Sequence, residues 1–272
     1  VTQLDTGTED LLADVSDGVA VLTMNRPARR NAMSEAMLTA MGRMLAELEV
    51  DDAVGCVVLT GAGGAFCAGG DVKAMAERPA EDRERNVDAA IHLQRLRQRS
   101  TSGRLWQMPK PTIAAIGGPA AGAGLSLALA CDLRYAVDSA VLTTAFARVA
   151  FSGDYGGTWF LTRLVGSAKA KELYYFSDRL SAADAERLGI VNAVFAPGDF
   201  DAEVARRARR LAEGPRLAYR YMKENLNRAV GGELGECMDL EVTHHIHTGQ
   251  TADHREAAQA FVDRREPRFS GR

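Results

Sequence analysis

The stretch Lys110-Pro111-Thr112-Ile113-Ala114-Ala115-Ile116-Gly117-Gly118-Pro119-Ala120-Ala121-Gly122-Ala123-Gly124-Leu125-Ser126-Leu127-Ala128-Leu129-Ala130 decides how this chain folds. Thr112 to Ile116 is a short unbroken apolar run behind a Pro-Lys-Pro break, the pattern of a buried strand in a parallel sheet, where both faces are covered. The glycine-rich turn Gly117 to Gly124 follows, and Leu125 to Ala130 continues as an apolar, alanine-rich helix. An earlier stretch has the same order. Cys56 to Thr60 is apolar throughout, Gly61-Ala62-Gly63-Gly64 turns the chain, and a second corner, Ala65-Phe66-Cys67-Ala68-Gly69-Gly70-Asp71, leads into the helical Val72 to Ala76. Strand, glycine turn and helix in that order, twice, predict an α/β fold of stacked βα units around parallel sheets.

Working outward, Leu11 to Val15 and Gly18 to Met24 flank Ser16-Asp17-Gly18 and read as a β-hairpin ended by Asn25-Arg26-Pro27. From Ser34, a candidate N-cap, Met37, Leu38, Met41, Met44, Leu45 and Leu48 recur at helical spacing as far as Asp51-Asp52. Glu77 to Arg85, charged and broken by Pro79, read as a surface connection, and Val87 to Leu105 as a helix. After a strand-like Asp132 to Ala136, helical periodicity returns at Trp159 to Leu164, Ser167 to Phe176 and Ser181 to Leu188. From Asp201 onward the chain reads as wholly helical, divided at Pro215. Basic residues outnumber acidic ones two to one between 201 and 230, which fits solvated helix faces or the docking of a polyphosphate or a neighbouring subunit.

Composition narrows the function. With 272 residues, 46% hydrophobic and 25% charged, the chain is long and apolar enough for a large core. A net charge of −3 gives no overall cationic surface for nucleic acid. No apolar run approaches the roughly 20 residues of a membrane span, and Val1 to Glu9 lack the features of a secretory signal. Cys56, Cys67, Cys131 and Cys237 form no C-x-x-C pair and read as cytosolic thiols, so a cytoplasmic location is expected.

The glycine corners are the chemical feature. Such junctions can aim backbone N–H groups at one ligand oxygen, with a helix start adding its positive end. The amides of Ala68 and Ala123, each flanked by glycine, are the candidate pair for an oxyanion hole; tight turns made for packing are the plainer explanation of either corner alone. Neither corner carries the lysine of a phosphate loop or a full dinucleotide pattern, and no G-x-S-x-G elbow occurs.

Asn25-Arg26-Pro27-x-x-x-Asn31-Ala32, Ala65 to Asp71, and Lys110 to Ala115 running through the second corner to Leu127-Ala128 and Cys131-Asp132 resemble the enoyl-CoA hydratase/isomerase (crotonase) family. Tyr155-Gly156-Gly157-Thr158, Leu161-x-Arg163-Leu164-Val165-Gly166, Ala182-x-x-Ala185-x-x-Leu188-Gly189-Ile190-Val191-Asn192 and Ala260-Phe261-x-x-Arg264-Arg265-x-Pro267-x-Phe269 agree, so the likeness spans nearly the whole chain in order. The resemblance implies a crotonase-like spiral of ββα units over residues 1–200, with a helical region over 201–272 that serves trimerisation and completes the CoA site. It further implies a homotrimer or dimer of trimers that binds an acyl-CoA, holds its thioester carbonyl on the Ala68 and Ala123 amides and stabilises an enolate-like state. Arg26, Arg29 and Arg30 match the region that meets the adenosine and phosphates of CoA, with Arg264 or Arg265 contributing from the C-terminus. Ala65, Gly69, Gly70, Asp71, Gly122 and Gly124 belong to the substrate-binding corners. CoA enters as part of the substrate, and no metal, flavin or nicotinamide cofactor is implied.

The acid/base groups depart from the hydratase pattern, in which two glutamates deliver water. Ser126 and Phe146 stand at those positions, lining the acyl site without a carboxylate. Asp154, in Phe151-Ser152-Gly153-Asp154-Tyr155-Gly156-Gly157, resembles instead the aspartate of dienoyl-CoA isomerases and aromatic acyl-CoA dehalogenases. It is the candidate for proton transfer or nucleophilic attack, against the plainer reading of a turn residue capping the next helix. The tryptophan and histidine that accompany the dehalogenase aspartate are not evident, which ranks isomerisation first. An atypical hydratase, an aspartate-dependent aromatic acyl-CoA hydrolase or dehalogenase, and a catalytically weak acyl-CoA-binding protein are the alternatives. His92 reads as a surface or packing residue, and His244, His245, His247 and His254 lack the spacing of a zinc site.

Overall fold

In the computed structural model, which describes residues 1–77 and 86–271, the apolar run at Cys56 is a central strand because four successive residues are buried on both faces. The strands are β1 (Thr2–Leu4), β2 (Leu11–Ser16), β3 (Val19–Met24), β4 (Cys56–Gly61), β5 (Thr112–Ile116), β6 (Ala120–Ala121), β7 (Leu133–Val137), β8 (Val141–Thr143), β9 (Leu180–Ser181) and β10 (Ala193–Phe195). The large sheet runs β1-β2-β3-β4-β5-β7-β10, antiparallel through β3 and parallel from β3 to β10. Its hairpin turns at Asp17 and Gly18, both at positive φ, the conformation that matches strand twist in a two-residue loop. A small sheet, β6-β8-β9, stands apart. This is the crotonase-like α/β spiral of ββα units with a helical C-terminal region, as the sequence implies.

The helices are α1 (Glu35–Val50), α2 (Val72–Ala76), α3 (Val87–Gln98), α4 (Arg104–Gln107), α5 (Ala123–Ala130), α6 (Gly157–Phe176), α7 (Ala182–Arg187), α8 (Phe200–Ala212), α9 (Arg216–Ala229), α10 (Leu234–Gly249) and α11 (Ala252–Asp263). Ser34 caps α1 by accepting from the Met37 amide, and Ser181 caps α7 through Asp184 N. The periodic methionines and leucines of α1 all lie in the core. A π-helical turn at Arg99–Gly103 joins α3 to α4, and a non-helical Gly166 kinks α6 where the sequence periodicity breaks. The charged connection expected at Glu77 to Arg85 falls, after Glu77, on residues 78–85, outside the described residues. Helix α5 begins at Ala123, two residues earlier than its apolar run indicates, which puts the Ala123 amide in the first turn where no intrahelical acceptor exists.

One buried cation ties the C-terminal helices to the sheet. Lys223 Nζ pairs with Asp132 Oδ2 at 2.8 Å and donates to the Leu105 and Lys110 carbonyls, each at 3.1 Å. All three ammonium protons are thereby satisfied, the condition under which burying a charge is tolerable. No described helix is long and apolar enough to cross a membrane.

Candidate active site

The two glycine corners meet at the ends of β4 and β5. Phe66 N and Cys67 N donate to the Pro119 carbonyl at 3.0 and 3.2 Å, and Ala121 N returns a bond to the Cys67 carbonyl at 2.9 Å. Such close backbone approach leaves no room for side chains: a Cβ on Gly124 would lie 2.4 Å from the Cys67 oxygen. Gly122 (φ 54°, ψ −129°) takes a conformation open in practice only to glycine, and this turn launches α5.

A third segment clamps the first corner. Asn31, fully buried, donates through Nδ2 to the Ala62 and Ala65 carbonyls, both at 2.8 Å, and accepts from the Arg26 amide at 2.9 Å. The Arg26 guanidinium bonds Asp71 Oδ2 through both Nη atoms at 3.2 Å and also reaches the Ala32 carbonyl. Asp71 in turn caps α2 through Ala74 N, and that N–H, together with Arg26, holds its carboxyl below the usual range. Arg26 and Asp71, both expected to bind substrate, are paired with each other, both Nη atoms converging on one carboxylate oxygen while the other accepts from Ala74 N. Arg29 and Arg30 are exposed beside them. Arg265 is engaged by Glu256 and Asp263 near the C-terminus, and Arg264 occupies the left-handed cap of α11; no contact among the described residues brings either to the corners.

The expected donor Ala68 is not free. Its N–H donates to the Arg30 carbonyl at 2.9 Å, while Met33 N bonds the Gly69 carbonyl at 2.8 Å. In an extended strand the Gly70 amide would follow Ala68 toward this loop, but Gly69, at φ 86°, turns the next peptide away. Among the described residues the Gly70 and Ala123 amides donate to no protein acceptor. They are neighbours, since a Cβ on Gly69 would sit 3.1 Å from Ala123 N.

Helix α3 and the segment leading into α6 form a groove of about 1250 Å³ lined by Val87, Ile91, Gln94, Gln98, Ser152 and Gly153. Asp154 is partly buried at its edge. Among the described residues, its Oδ1 is buried without a hydrogen-bond partner and its Oδ2 meets only Gln94 Nε2, at 3.4 Å. Burial pushes its carboxyl up to about 6. Its side chain does not cap α6, although its carbonyl accepts from Gly157 N at 3.1 Å in the turn that precedes the helix. Gln98 Oε1 accepts from Tyr155 N at 2.7 Å and fixes the turn. Ser126 is buried on α5, and Phe146 is buried with its ring stacked on Tyr174 at 5.8 Å and 8°. Gln94, Gln98 and Tyr174 were not legible as site residues, because only tertiary packing brings them to Asp154.

His92 is exposed on α3; His244 is buried with its ring stacked on Tyr221 at 4.2 Å and its Nδ1 bonded to Asn225. No cluster of three metal-ligating side chains occurs among the described residues.

Two glycine corners thus exchange backbone bonds at the ends of parallel strands and leave the Gly70 and Ala123 amides without a protein acceptor among the described residues. The chain belongs to the enoyl-CoA hydratase/isomerase family, whose profile matches residues 14–272. It is 35% identical over 264 residues to the 1,2-epoxyphenylacetyl-CoA isomerase of Escherichia coli, covering 97% of this chain and 99% of that one. It is also 35% identical to a 4-chlorobenzoyl coenzyme A dehalogenase of an Arthrobacter species, over 84% of this chain and 81% of the relative. The crystal structure of an enoyl-CoA hydratase from Bacillus anthracis superposes with a TM-score of 0.88 at 32% identity, covering 97% of this chain and all of that one. The protein is accordingly an acyl-CoA-transforming enzyme of the crotonase type.

Proposed function

We propose that the protein isomerises an acyl-CoA by moving a proton at the α or γ carbon, with Asp154 as the acid/base group. The carrying observation is Asp154 itself: a desolvated carboxyl with an unpartnered oxygen, raised to about 6 and placed beside the groove. Such a group takes and returns protons near neutral pH more effectively than an ordinary surface aspartate. The thioester oxygen is received by the Gly70 and Ala123 amides, Gly70 replacing Ala68 because the latter's N–H is held by Arg30. Donors fixed before charge develops need no reorganisation as the enolate forms, and each is worth about 3 kcal/mol of barrier. Arg29 and Arg30 remain candidates for the CoA phosphates.

Two-glutamate hydration is disfavoured by Ser126 and Phe146, which can act as neither acid nor base at neutral pH. An aspartate acting as nucleophile on an aromatic thioester is the second reading, favoured by the aromatic Phe146–Tyr174 pair and by the similarity to the dehalogenase. Incubation with 3-enoyl-, dienoyl-, 2-enoyl- and aromatic acyl-CoAs, in deuterated water and separately in heavy-oxygen water, separates these. Double-bond migration with deuterium and no oxygen label is expected; oxygen label in the product would replace isomerisation with hydration or hydrolysis.

We further propose that residues 201–272 carry assembly into a trimer or a dimer of trimers. Leu234, Met238, Val242 and Ile246 recur every four residues along α10, each more than half exposed, and Met222 and Leu226 continue the stripe on α9. So large an apolar surface marks an interface. Met238→Glu should convert the oligomer to smaller species by sedimentation, leaving the monomer fold intact by circular dichroism.

A further inference from the structure

Helix α3 is held to the molecule by polar side chains. None of its residues is buried, and its apolar Val87, Ile91, Leu93 and Leu96 are exposed. Within the helix only Gln94, Arg97 and Gln98 are partly covered, and each bonds to another element. Arg97 pairs with Glu35 at the start of α1. Gln94 and Gln98, four residues apart and so neighbours on one helical face, both reach the dipeptide Asp154-Tyr155.

These two contacts have opposite polarity. Gln98 Oε1 accepts from the Tyr155 amide at 2.7 Å, and Gln94 Nε2 donates to Asp154 Oδ2 at 3.4 Å. A backbone N–H is answered by an oxygen and an ionised carboxylate by a donor, so the first position needs an acceptor and the second an NH2 group. The turn itself needs holding. Gly153, Tyr155 and Gly156 have φ of 111°, 51° and 76° around Asp154. For a residue as bulky as Tyr155, whose side chain is buried, a left-handed backbone is costly and persists only where its surroundings impose it. The bond from the Tyr155 amide to Gln98 is such a constraint, directly after the carboxyl-bearing residue.

The two carboxyl oxygens of Asp154 are thereby unequal. Oδ2 has Gln94, whereas Oδ1 is buried with no partner among the described residues. The titratable groups around it leave this arrangement alone: Tyr155 in its own turn and Tyr174 on α6 are held neutral by burial, and Arg97 on α3 is engaged by Glu35.

We infer that Gln94 and Gln98 are positioning residues for proton transfer by Asp154: Gln98 holds the strained turn through the Tyr155 amide, and Gln94 occupies Oδ2, leaving Oδ1 to take the proton from one acyl carbon and return it to another. The bond from Gln94 survives protonation of Oδ1, since Oδ2 remains an acceptor, but it is stronger to the charged carboxylate. Gln94 thus offsets part of the burial that favours the protonated carboxyl. The inference rests on the reading of Asp154 as the acid/base group.

The pH profile of kcat/KM on an accepted thioester tests it, because a merely structural contact lowers turnover without moving a limb. Gln94→Met removes the donor and should move the acidic limb up by about half to one pH unit; Gln94→Glu adds a like charge and should move it further. Gln98→Met should lower kcat about tenfold on the alkaline plateau, and Gln98→Glu, which keeps an oxygen for the Tyr155 amide, should restore most of it. A wild-type limb near pH 6 that stays in place in both Gln94 variants overturns the role of Gln94. Equal losses in Gln98→Met and Gln98→Glu overturn the role of Gln98. Either result leaves Asp154 as the acid/base group. Absence of that limb from the wild type, or full turnover in Asp154→Asn, overturns the acid/base reading and this inference together. Should Gln94→Glu fail to fold, the limb in Gln94→Met alone decides.

Discussion

The two walls of the site are built on opposite principles. On the donor wall the backbone does the work, and everything around it is tied down: Asn31 makes three hydrogen bonds, Arg26 and Asp71 lock together, and the corners exchange backbone bonds. On the carboxylate wall Asp154, next in sequence to the groove-lining Ser152 and Gly153, has one long hydrogen bond and one oxygen without a partner among the described residues. Rigid donors suit a charge that always develops at one oxygen; a loosely held, desolvated carboxyl suits a proton that must arrive and leave. The proposed reaction rests on the second wall.

That contrast can be broken most severely at Asp154. Asp154→Asn should reduce kcat about a thousandfold with little change in KM, because proton transfer is lost while the donors remain; steady-state kinetics on an accepted thioester checks this. In the wild type, base action by a carboxyl near 6 requires kcat/KM to fall as pH drops through about 6. On the donor wall, Gly69→Ala should cost about a hundredfold in kcat, since its Cβ would sit 2.8 Å from the Ala121 oxygen and 3.1 Å from Ala123 N at a backbone φ of +86°. Unlike Asp154→Asn, it should also lower the melting temperature, through strain.

The smallest effect is on stability and has the opposite sign. The Asp154 carboxyl is raised on folding, so the folded state holds its proton more tightly than the unfolded one. Its contribution is intact below pH 4 and is lost as pH rises through about 6. Asp154→Asn should therefore be more stable than the wild type at pH 8 by about 1 kcal/mol, discounted for partial solvent access, with the gain vanishing near pH 4. Denaturant titrations at the two pH values measure it.

The same contrast governs what could be read from the chain. Buried strands such as Cys56 to Thr60 announce themselves by unbroken apolar runs, and the corners by glycines that only close backbone approach requires. Which amide of the first corner points outward is a different matter, because it depends on the left-handed Gly69 and on the Arg30 carbonyl arriving from a distant loop. The small sheet of β6, β8 and β9 was likewise hidden, its strands being two or three residues long and defined by their partners. Gln94 lies 60 residues from Asp154, and nothing in local pattern joins them. Arg26 shows the converse: an arginine matched to a binding region whose charge is consumed by a carboxylate 45 residues on.

Deuterium wash-in puts the role of Asp154 to its sharpest test. Wild type and Asp154→Asn would be incubated in deuterated water with one thioester whose double bond can migrate, and the acyl carbons followed by mass spectrometry. Deuterium at the α or γ carbon with the wild type, and almost none with the variant despite unchanged thioester binding, is the predicted result. Equal exchange by the two proteins would contradict it and move the proton-transfer role away from Asp154.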